Sequence, residues 1–264
     1  MRAARALAVV AAGVAGACGL FPDVSPLESD AGVEAGVDAN GSDARADAPI
    51  DAAEASTSPC DAQHTFCDDF DTGALGAKWD STDVESGPMM LATTAVSPPY
   101  SLEAQTSSSG ETTALVKHFD AANHTHVEFD ALVQTPGNVS NTEVDLFSMV
   151  FDDAPAPYNF AVVDFQRWEG ESQIEEYVEA PDGGSAGQDL PFTEIFASWH
   201  HVALDFDFTQ QSFTAAVDGV VVQAMSLDPT IPETGYSVSL GVAYVNDKDG
   251  WSVFIDNFTL DQSP

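Results

Sequence analysis

Two carboxylates in the sequence Glu143-Val144-Asp145-Leu146-Phe147 are the residues best placed to do chemistry. Side chains alternate between the two faces of a β-strand, so this spacing predicts that Glu143, Asp145 and Phe147 share one face. Carboxylates held side by side can serve as an acid, a base or a nucleophile. The simpler interpretation is a pair of solvent-facing carboxylates on an edge strand or a groove strand.

A second set of residues suits sugar recognition, which needs an aromatic platform and a few polar groups. Arg167, Trp168 and Tyr177 offer both kinds of group, and we predict that they contact a ligand. Arg167 is a rare base in an acidic chain, and its planar guanidinium is a two-pronged hydrogen-bond donor. Trp168 lies at a predicted strand end near Gly170, which favours exposure, although Trp and Tyr are also ordinary core residues.

Other chemistries have less support in the sequence. His124 and His126 are two residues apart on one predicted strand and could bind zinc from one face, but no third ligand is evident. His200 and His201 fall on opposite faces of their strand and cannot form such a pair. No Ser-His-Asp spacing, phosphate-binding loop or Cys-x-x-Cys motif is present.

The elements that must position these residues are β-strands. Val202, Leu204, Phe206 and Phe208 alternate with polar residues, which is the pattern of a half-buried strand. Asp218-Gly219 then stands between two apolar runs and predicts a tight hairpin. Further strands are predicted at 66–71, 89–93, 100–104, 113–119, 126–134, 143–151, 160–167, 173–179, 236–245 and 251–260.

The breaks between these strands are rich in Gly, Pro, Asn and Asp, and one of them is 181–187. No segment has a helical period over ten residues, and no internal repeat is found. Many short strands at regular intervals predict a β-sandwich or a β-barrel.

The charge of the chain limits its partners. It has 43 acidic and 7 basic residues among 264, a formal net charge of -36. Nucleic acids, anionic lipid surfaces and polyanionic polysaccharides are therefore unfavourable partners. Neutral glycans, cations and proteins remain, and acidity that only keeps the protein soluble is the simpler alternative.

Residues 1–18 have the pattern of a secretory signal peptide. Arg2 and Arg5 precede an apolar run, from Ala6 to Ala17, that is too short to span a bilayer. The sequence Ala15-Gly16-Ala17-Cys18 resembles the lipobox of bacterial lipoproteins, with Ala15 in place of the usual Leu. We therefore expect lipidation at Cys18 and export to the outer membrane or cell surface; simple signal cleavage is the alternative.

The remaining cysteines, Cys60 and Cys67, are then left as a pair that a disulfide can join in an oxidising compartment. Residues 19–59 between the lipobox and this pair are rich in Ala and Asp and nearly lack aromatic residues. Such a segment cannot bury enough apolar surface to offset its ordering entropy, so we predict a disordered acidic linker. The folded domain is predicted at 60–264.

This domain resembles the laminin G-like members of the concanavalin A-like lectin/glucanase superfamily. The resemblance rests on Trp199-His200-His201-Val202, then Val217-Asp218-Gly219-Val220, and the closing Phe254-Ile255-Asp256-Asn257-Phe258. It also includes Phe66-Cys67-Asp68-Asp69-Phe70-Asp71, Lys78-Trp79 and Pro98-Pro99-Tyr100-Ser101-Leu102. It implies an all-β fold, a two-sheet antiparallel jelly-roll β-sandwich that often binds sugar on its concave face.

The resemblance also implies roles for particular residues. Retaining β-glucanases of the superfamily carry Glu-x-Asp-x-Glu, in which the first Glu is the nucleophile and the last is the general acid. Glu143 and Asp145 match this motif, but Phe147 stands where the acid would be. A structural calcium is common in the superfamily, and Asp69 and Asp256 are the ligands that the resemblance implies.

The sequence as a whole therefore predicts a lipid-anchored binding module of the cell envelope. Its expected ligand is a neutral glycan or a surface protein, and its membrane association is through the lipid anchor alone. The alternative is a glycoside hydrolase or polysaccharide lyase for a neutral glycan, with an acid from another strand. The sequence leaves the oligomeric state open.

Overall fold

The computed structural model describes residues 58–107, 109–134, 142–152, 160–168, 171–179, 185–191, 197–227, 235–246 and 250–264. The predicted signal peptide, the lipidation site Cys18 and all but the last two residues of the predicted linker lie outside these ranges. No helix in the described residues has the length and apolar character that crossing a membrane would require.

The described residues form two antiparallel sheets. The first contains β1 (Phe66–Asp68), β3 (Met89–Ala92), β4 (Ser101–Thr106), β6 (His124–Gln134), β11 (Trp199–Asp207), β12 (Ser212–Val217), β13 (Val220–Ser226) and β15 (Trp251–Ser263). Its order is β13-β12-β11-β6-β15-β4-β3, and β1 also pairs with β15. We call it the eight-stranded sheet.

The second sheet contains β2 (Ser81–Val84), β5 (Thr113–Phe119), β7 (Thr142–Phe151), β8 (Phe160–Trp168), β9 (Glu171–Glu179), β10 (Ser185–Pro191) and β14 (Tyr236–Val245). Its order is β10-β9-β8-β7-β14-β5-β2, and we call it the seven-stranded sheet. The two sheets pack as a jelly-roll β-sandwich, which confirms the predicted fold class.

The hairpin predicted at Asp218-Gly219 is confirmed. β12 ends at Val217 and β13 begins at Val220, and Asp218 and Gly219 have φ values of 50° and 75°. Positive φ at both central residues is the backbone of the two-residue turn that Asp-Gly favours. Val202, Leu204 and Phe206 are fully buried, as their alternation predicted.

Two strands were not predicted, and both lie at the edges of the seven-stranded sheet. β2 is exposed along its length, so it lacks an apolar alternation. β10 begins inside the predicted break at 181–187 and contains Gly187 and Pro191. An edge strand needs fewer backbone donors and less burial than a central strand, and its sequence therefore resembles a loop.

Aromatic side chains fill the space between the sheets. Phe129 of β6 stacks on Phe147 of β7 with ring centroids 6.0 Å apart, and both are fully buried. Tyr236 is also fully buried, and its hydroxyl pairs with Thr125 Oγ1 at 2.8 Å across the two sheets. Burying the phenol hydroxyl with a partner removes the cost of an unsatisfied polar group.

The predicted disulfide is confirmed. Cys60 and Cys67 are joined, with their Cα atoms 5.5 Å apart. Cys60 lies in a 3-10 turn, Pro59–Asp61, and Cys67 lies in β1. The bond therefore fastens the start of the domain to the strand that pairs with β15.

Gly241 in β14 generates a stability prediction. Its φ is +133°, and a Cβ added there would lie 2.6 Å from the Thr113 carbonyl oxygen. We expect Gly241→Ala to lower the free energy of unfolding by at least about 2 kcal/mol, because strain and overlap act together. Chemical denaturation of the purified domain measures this change.

Gly219→Ala is the matched control, because Gly219 has φ +75° but no atom within 4 Å of an added Cβ. Gly219→Ala should lower the free energy of unfolding by only about 1 kcal/mol, because backbone strain acts alone there. Equal losses in the two variants would contradict a steric role for the Thr113 carbonyl.

Candidate functional site

Glu143 and Asp145 lie on β7, and the predicted triplet does not share one face. The pairing of β7 with β8 shifts register between Asp145 and Phe147, which is a β-bulge at Leu146. The extra residue reverses the alternation, so Phe147 is fully buried and stacks on Phe129 in the core. The prediction that Phe147 occupies the position of a general acid beside the two carboxylates is therefore wrong.

Asn246, just after β14, holds Glu143 in place. The Glu143 backbone N–H donates to Asn246 Oδ1 at 3.0 Å, and Asn246 Nδ2 donates to Glu143 Oε2 at 3.2 Å. The Asn246 backbone N–H also donates to the Glu143 carbonyl oxygen at 3.2 Å. Three bonds therefore fix both the backbone and the carboxylate of Glu143, and sequence reasoning missed Asn246 because it follows the predicted strand.

Asp145 lies next to Glu143 on the same face and is only 5% exposed. Tyr244 of β14 is its cross-strand neighbour, after a second register shift between Leu240 and Tyr244. Tyr244 is half-buried, as is Ser148 further along β7. We define the polar face as Glu143, Asp145, Ser148, Tyr244 and Asn246.

The predicted ligand residues Arg167, Trp168 and Tyr177 lie in β8 and β9, and their side chains are outside the described part of the structure. The backbone register relates them to the polar face. Tyr177 is opposite Val162, which is opposite Ser148. Gln166 of β8 is the cross-strand neighbour of Glu143. Trp168 follows Gln166 by two residues on the same strand, so the two take positions on one face. Trp168 and Tyr177 therefore take register positions of the polar face, whereas Arg167 takes the alternate position.

The register also aligns acidic residues across four strands. Asp145 pairs with Asp164, Asp164 pairs with Glu175, and Glu175 pairs with Asp189. Adjacent strands are about 5 Å apart, so these register positions form a row of acidic residues across the sheet, and such a row is unfavourable for an approaching anion. This row continues the polar face from β7 to β10.

The predicted calcium ligands have hydrogen-bond donors around them. Asp256 is fully buried, and its Oδ2 accepts from Val96 N, Ser97 N and Ser97 Oγ at 2.9, 2.8 and 3.2 Å. Asp69 Oδ2 accepts from Ser58 Oγ, and its Oδ1 accepts from the Asp71 N–H at 3.4 Å. These N–H and O–H groups place their hydrogen atoms next to the carboxylate oxygens of Asp69 and Asp256. They therefore occupy directions from which a cation would have to bind.

These contacts do not fit a calcium ion held by Asp69 and Asp256 as they stand. In the described residues, no three His, Cys, Asp or Glu side chains are grouped so that they could hold a metal ion. Asp256 instead anchors the segment before β4 to β15. Burial raises the pKa of Asp256 to about 6, against the opposing effect of its hydrogen bonds.

The histidines on the outer surface of the eight-stranded sheet are paired with carboxylates. His124 Nε2 and His126 Nδ1 lie 2.6 and 2.8 Å from the two oxygens of Asp205, and His201 Nδ1 lies 2.9 Å from Asp130 Oδ1. Asp130 raises the pKa of His201. Burial alone would lower the pKa of His126, but hydrogen bonds to Glu128 and Asp205 raise it.

Three residues that their sequence spacing did not group lie together in the structure. Ser198 Oγ lies 3.0 Å from His200 Nε2, and His200 Nδ1 lies 2.9 Å from Asp218 Oδ2. The hairpin brings Asp218 back to β11, a proximity that residue spacing alone did not suggest. The sequence contains no Ser-His-Asp spacing, and these three residues come together only through the fold.

No family model and no curated protein matches this chain. Among solved structures, the globular domain of T. cruzi calreticulin is similar with a TM-score of 0.52 at 10% identity, over 76% of this chain and 89% of that one. This likeness supports the β-sandwich fold.

Two further solved structures are less similar. The botulinum neurotoxin serotype D ligand binding domain, in complex with N-acetylneuraminic acid, has a TM-score of 0.48 at 13% identity, and the match covers 69% of this chain and 43% of that one. The alginate lyase AlyC3 has a TM-score of 0.48 at 8% identity, over 61% of this chain and 74% of that chain. This chain therefore spans less than half of the toxin domain.

Acidification should stabilise the domain between pH 7 and pH 5. The raised pKa of Asp256 means that the folded state binds its proton more tightly than the unfolded chain, so stability falls as pH rises through about 6. This group alone should add about 1 kcal/mol on acidification from pH 7 to pH 5. The raised pKa values of His126 and His201 act in the same direction.

The measurement is the melting temperature against pH in a chelator, with Asp256→Asn as control because asparagine does not titrate. The variant should be less stable than wild type at pH 5 but should have a shallower pH slope. A calcium ion on Asp256 would keep the carboxylate ionised, so excess Ca²⁺ would then reduce the wild-type slope to that of the variant. An equal slope in both proteins would contradict the role of Asp256.

Proposed function

We propose that residues 60–264 form a carbohydrate-binding module, anchored to the cell envelope through a lipid on Cys18, that binds a neutral glycan without cleaving it. The observation that carries this proposal is the polar face, where Asn246 fixes Glu143 beside Asp145 while Phe147 lies in the core. A surface protein is the other ligand class compatible with this charge.

Fixed polar groups favour binding of a hydroxyl-rich ligand. The Glu143 carboxylate can accept hydrogen bonds from sugar hydroxyls, and the Tyr244 hydroxyl can donate or accept them. Groups held by packing and by other hydrogen bonds lose little conformational freedom when a ligand binds. The three bonds between residues 143 and 246 supply that rigidity.

Charge selects among glycans. The acidic row from Asp145 to Asp189 disfavours uronic acid polymers and sialylated chains, because their carboxylates would lie close to like charges. Physiological salt screens charges beyond about 8 Å, so this local row matters more than the distant acids of the chain. A neutral β-glucan or xylan meets no such repulsion.

The alternative is hydrolysis or lyase chemistry on a neutral glycan, which needs a general acid that β7 does not supply. The residue directly opposite Glu143 is Gln166, which cannot donate a proton as an acid. Asp164, the partner of Asp145, is the carboxylate that the register brings nearest to this pair. The enzyme interpretation therefore depends on Asp164.

Binding should depend on the aromatic positions of the polar face. We expect immobilised laminarin, lichenan or xylan to retain the domain, and we expect Trp168→Ala to weaken binding about tenfold, equivalent to about 1.4 kcal/mol. Tyr100→Ala is the matched control, because Tyr100 is 39% exposed but precedes β4 in the other sheet. Equal loss in both variants would place binding elsewhere.

The same polysaccharides should yield no reducing ends. General acid catalysis contributes roughly 10²–10⁴-fold, and β7 lacks the acid. The assay compares wild type with Glu143→Gln and Asp164→Asn. Release that disappears in both variants would overturn the non-catalytic proposal and identify Asp164 as the acid.

A further inference from the structure

Ser198, His200 and Asp218 form a continuous hydrogen-bonded chain in the described structure. Ser198 Oγ lies 3.0 Å from His200 Nε2, and His200 Nδ1 lies 2.9 Å from Asp218 Oδ2. Both distances are within the reach needed for proton transfer between a nucleophile, its base and the group that orients the base. The serine contacts Nε2 of the imidazole and the carboxylate contacts Nδ1, which is the arrangement in which a histidine activates a serine.

The protonation state of this chain follows from its partners. Burial alone would raise the pKa of the Asp218 carboxyl, but hydrogen bonds from His200 and from the His201 N–H hold it below its ordinary value. An ionised carboxylate can only accept, so His200 Nδ1 carries the proton and donates it. In a neutral imidazole Nε2 is then free of hydrogen and accepts the Ser198 hydroxyl proton.

The fold holds all three residues rigidly. His200 occupies an inward-facing position of β11, and its side chain is 9% exposed. Asp218 is in the β12–β13 turn, where its Oδ1 accepts from the His201 N–H at 2.9 Å and its own N–H donates to the His201 carbonyl at 2.8 Å. The turn therefore fixes the carboxylate relative to β11.

The backbone immediately before Ser198 is strained. Ala197 has φ +62°, a left-handed backbone conformation that non-glycine residues adopt only against steric strain. Its N–H donates to the Val133 carbonyl at 2.9 Å, which holds this conformation against β6. A sharp turn before a serine, followed by a regular strand, sets the hydroxyl at the end of the sheet, and Ser198 itself is half-buried.

We propose that Ser198, His200 and Asp218 are a catalytic triad that hydrolyses carboxylic esters. Ser198 Oγ bonds to the ester carbonyl carbon as its proton passes to His200 Nε2. The carbon–alkoxide bond then breaks, and the alcohol leaves with that proton. Water attacks the acyl-serine through the same base, which releases the carboxylic acid and restores Ser198, so that one ester and one water give one acid and one alcohol.

The first test is covalent labelling of the whole purified domain with a fluorophosphonate probe, together with turnover of p-nitrophenyl acetate. We expect the probe to label Ser198, located by peptide mass spectrometry. We also expect Ser198→Ala and His200→Gln to lower kcat/KM by at least about 100-fold. Absence of labelling and of turnover in wild type would overturn the proposal.

Asp218→Asn separates catalysis from a purely structural clamp. Asparagine suits the positive φ of this turn and can still accept from the His201 N–H, so the melting temperature should stay close to that of wild type. Its amide would donate to His200 Nδ1 and force the proton onto Nε2, which then cannot take the serine proton. We therefore expect a folded variant with kcat/KM lowered by at least about 100-fold.

His201→Gln is the matched control, since His201 neighbours the triad but pairs with Asp130. It should retain wild-type labelling and turnover. Turnover that persists in Ser198→Ala and in Asp218→Asn would show that the three residues serve only to fasten the hairpin.

Discussion

Aromatic packing between the two sheets is the interaction on which the rest of this structure depends. Phe129 of β6 meets Phe147 of β7 in the middle of the sandwich, and Tyr236 joins Thr125 across the same space. Each buried aromatic ring removes a large apolar area from water, and the inter-sheet spacing follows from these contacts. The bulge at Leu146 is what allows β7 to contribute Phe147 to the core and still present Glu143 and Asp145 on the other side.

The acidic residues are accommodated by specific partners at a few places and by solvent elsewhere. Asp68 accepts from the Trp79 indole at 2.8 Å and lies 3.2 Å from the Lys78 ammonium. Asp205 and Asp130 are hydrogen-bonded to histidines and not to lysines or arginines, because the chain has few lysines and arginines. Imidazole charge depends on pH near neutrality, so the electrostatics of the eight-stranded sheet vary with pH more than lysine partners would allow.

Much of the fold could be predicted from the sequence, because alternation and turn chemistry are local signals. Val202, Leu204 and Phe206, with the Asp218-Gly219 turn, specified a hairpin without any long-range information. β2 and β10 could not be recognised, since an edge strand is compatible with exposed residues, glycine and proline. The sequence predicted that Glu143 and Asp145 share a face, but it did not predict the burial of Phe147. A one-residue bulge does not change the pattern of apolar and polar residues in a way that identifies it. Ser198, His200 and Asp218 required the hairpin to be closed before their proximity was visible.

The position of β15 has a consequence for how the domain is made. This last strand pairs with β6 along most of its length, with β4 over Trp251–Ile255 and with β1 over Phe258–Leu260. Until it emerges during synthesis, β4 and β6 have no common partner, and the eight-stranded sheet stays in two parts with open edges. Nearly the whole domain must therefore be available before its core can be completed. Until β15 has joined β4 and β6, their open strand edges are exposed to proteases and to pairing with other chains.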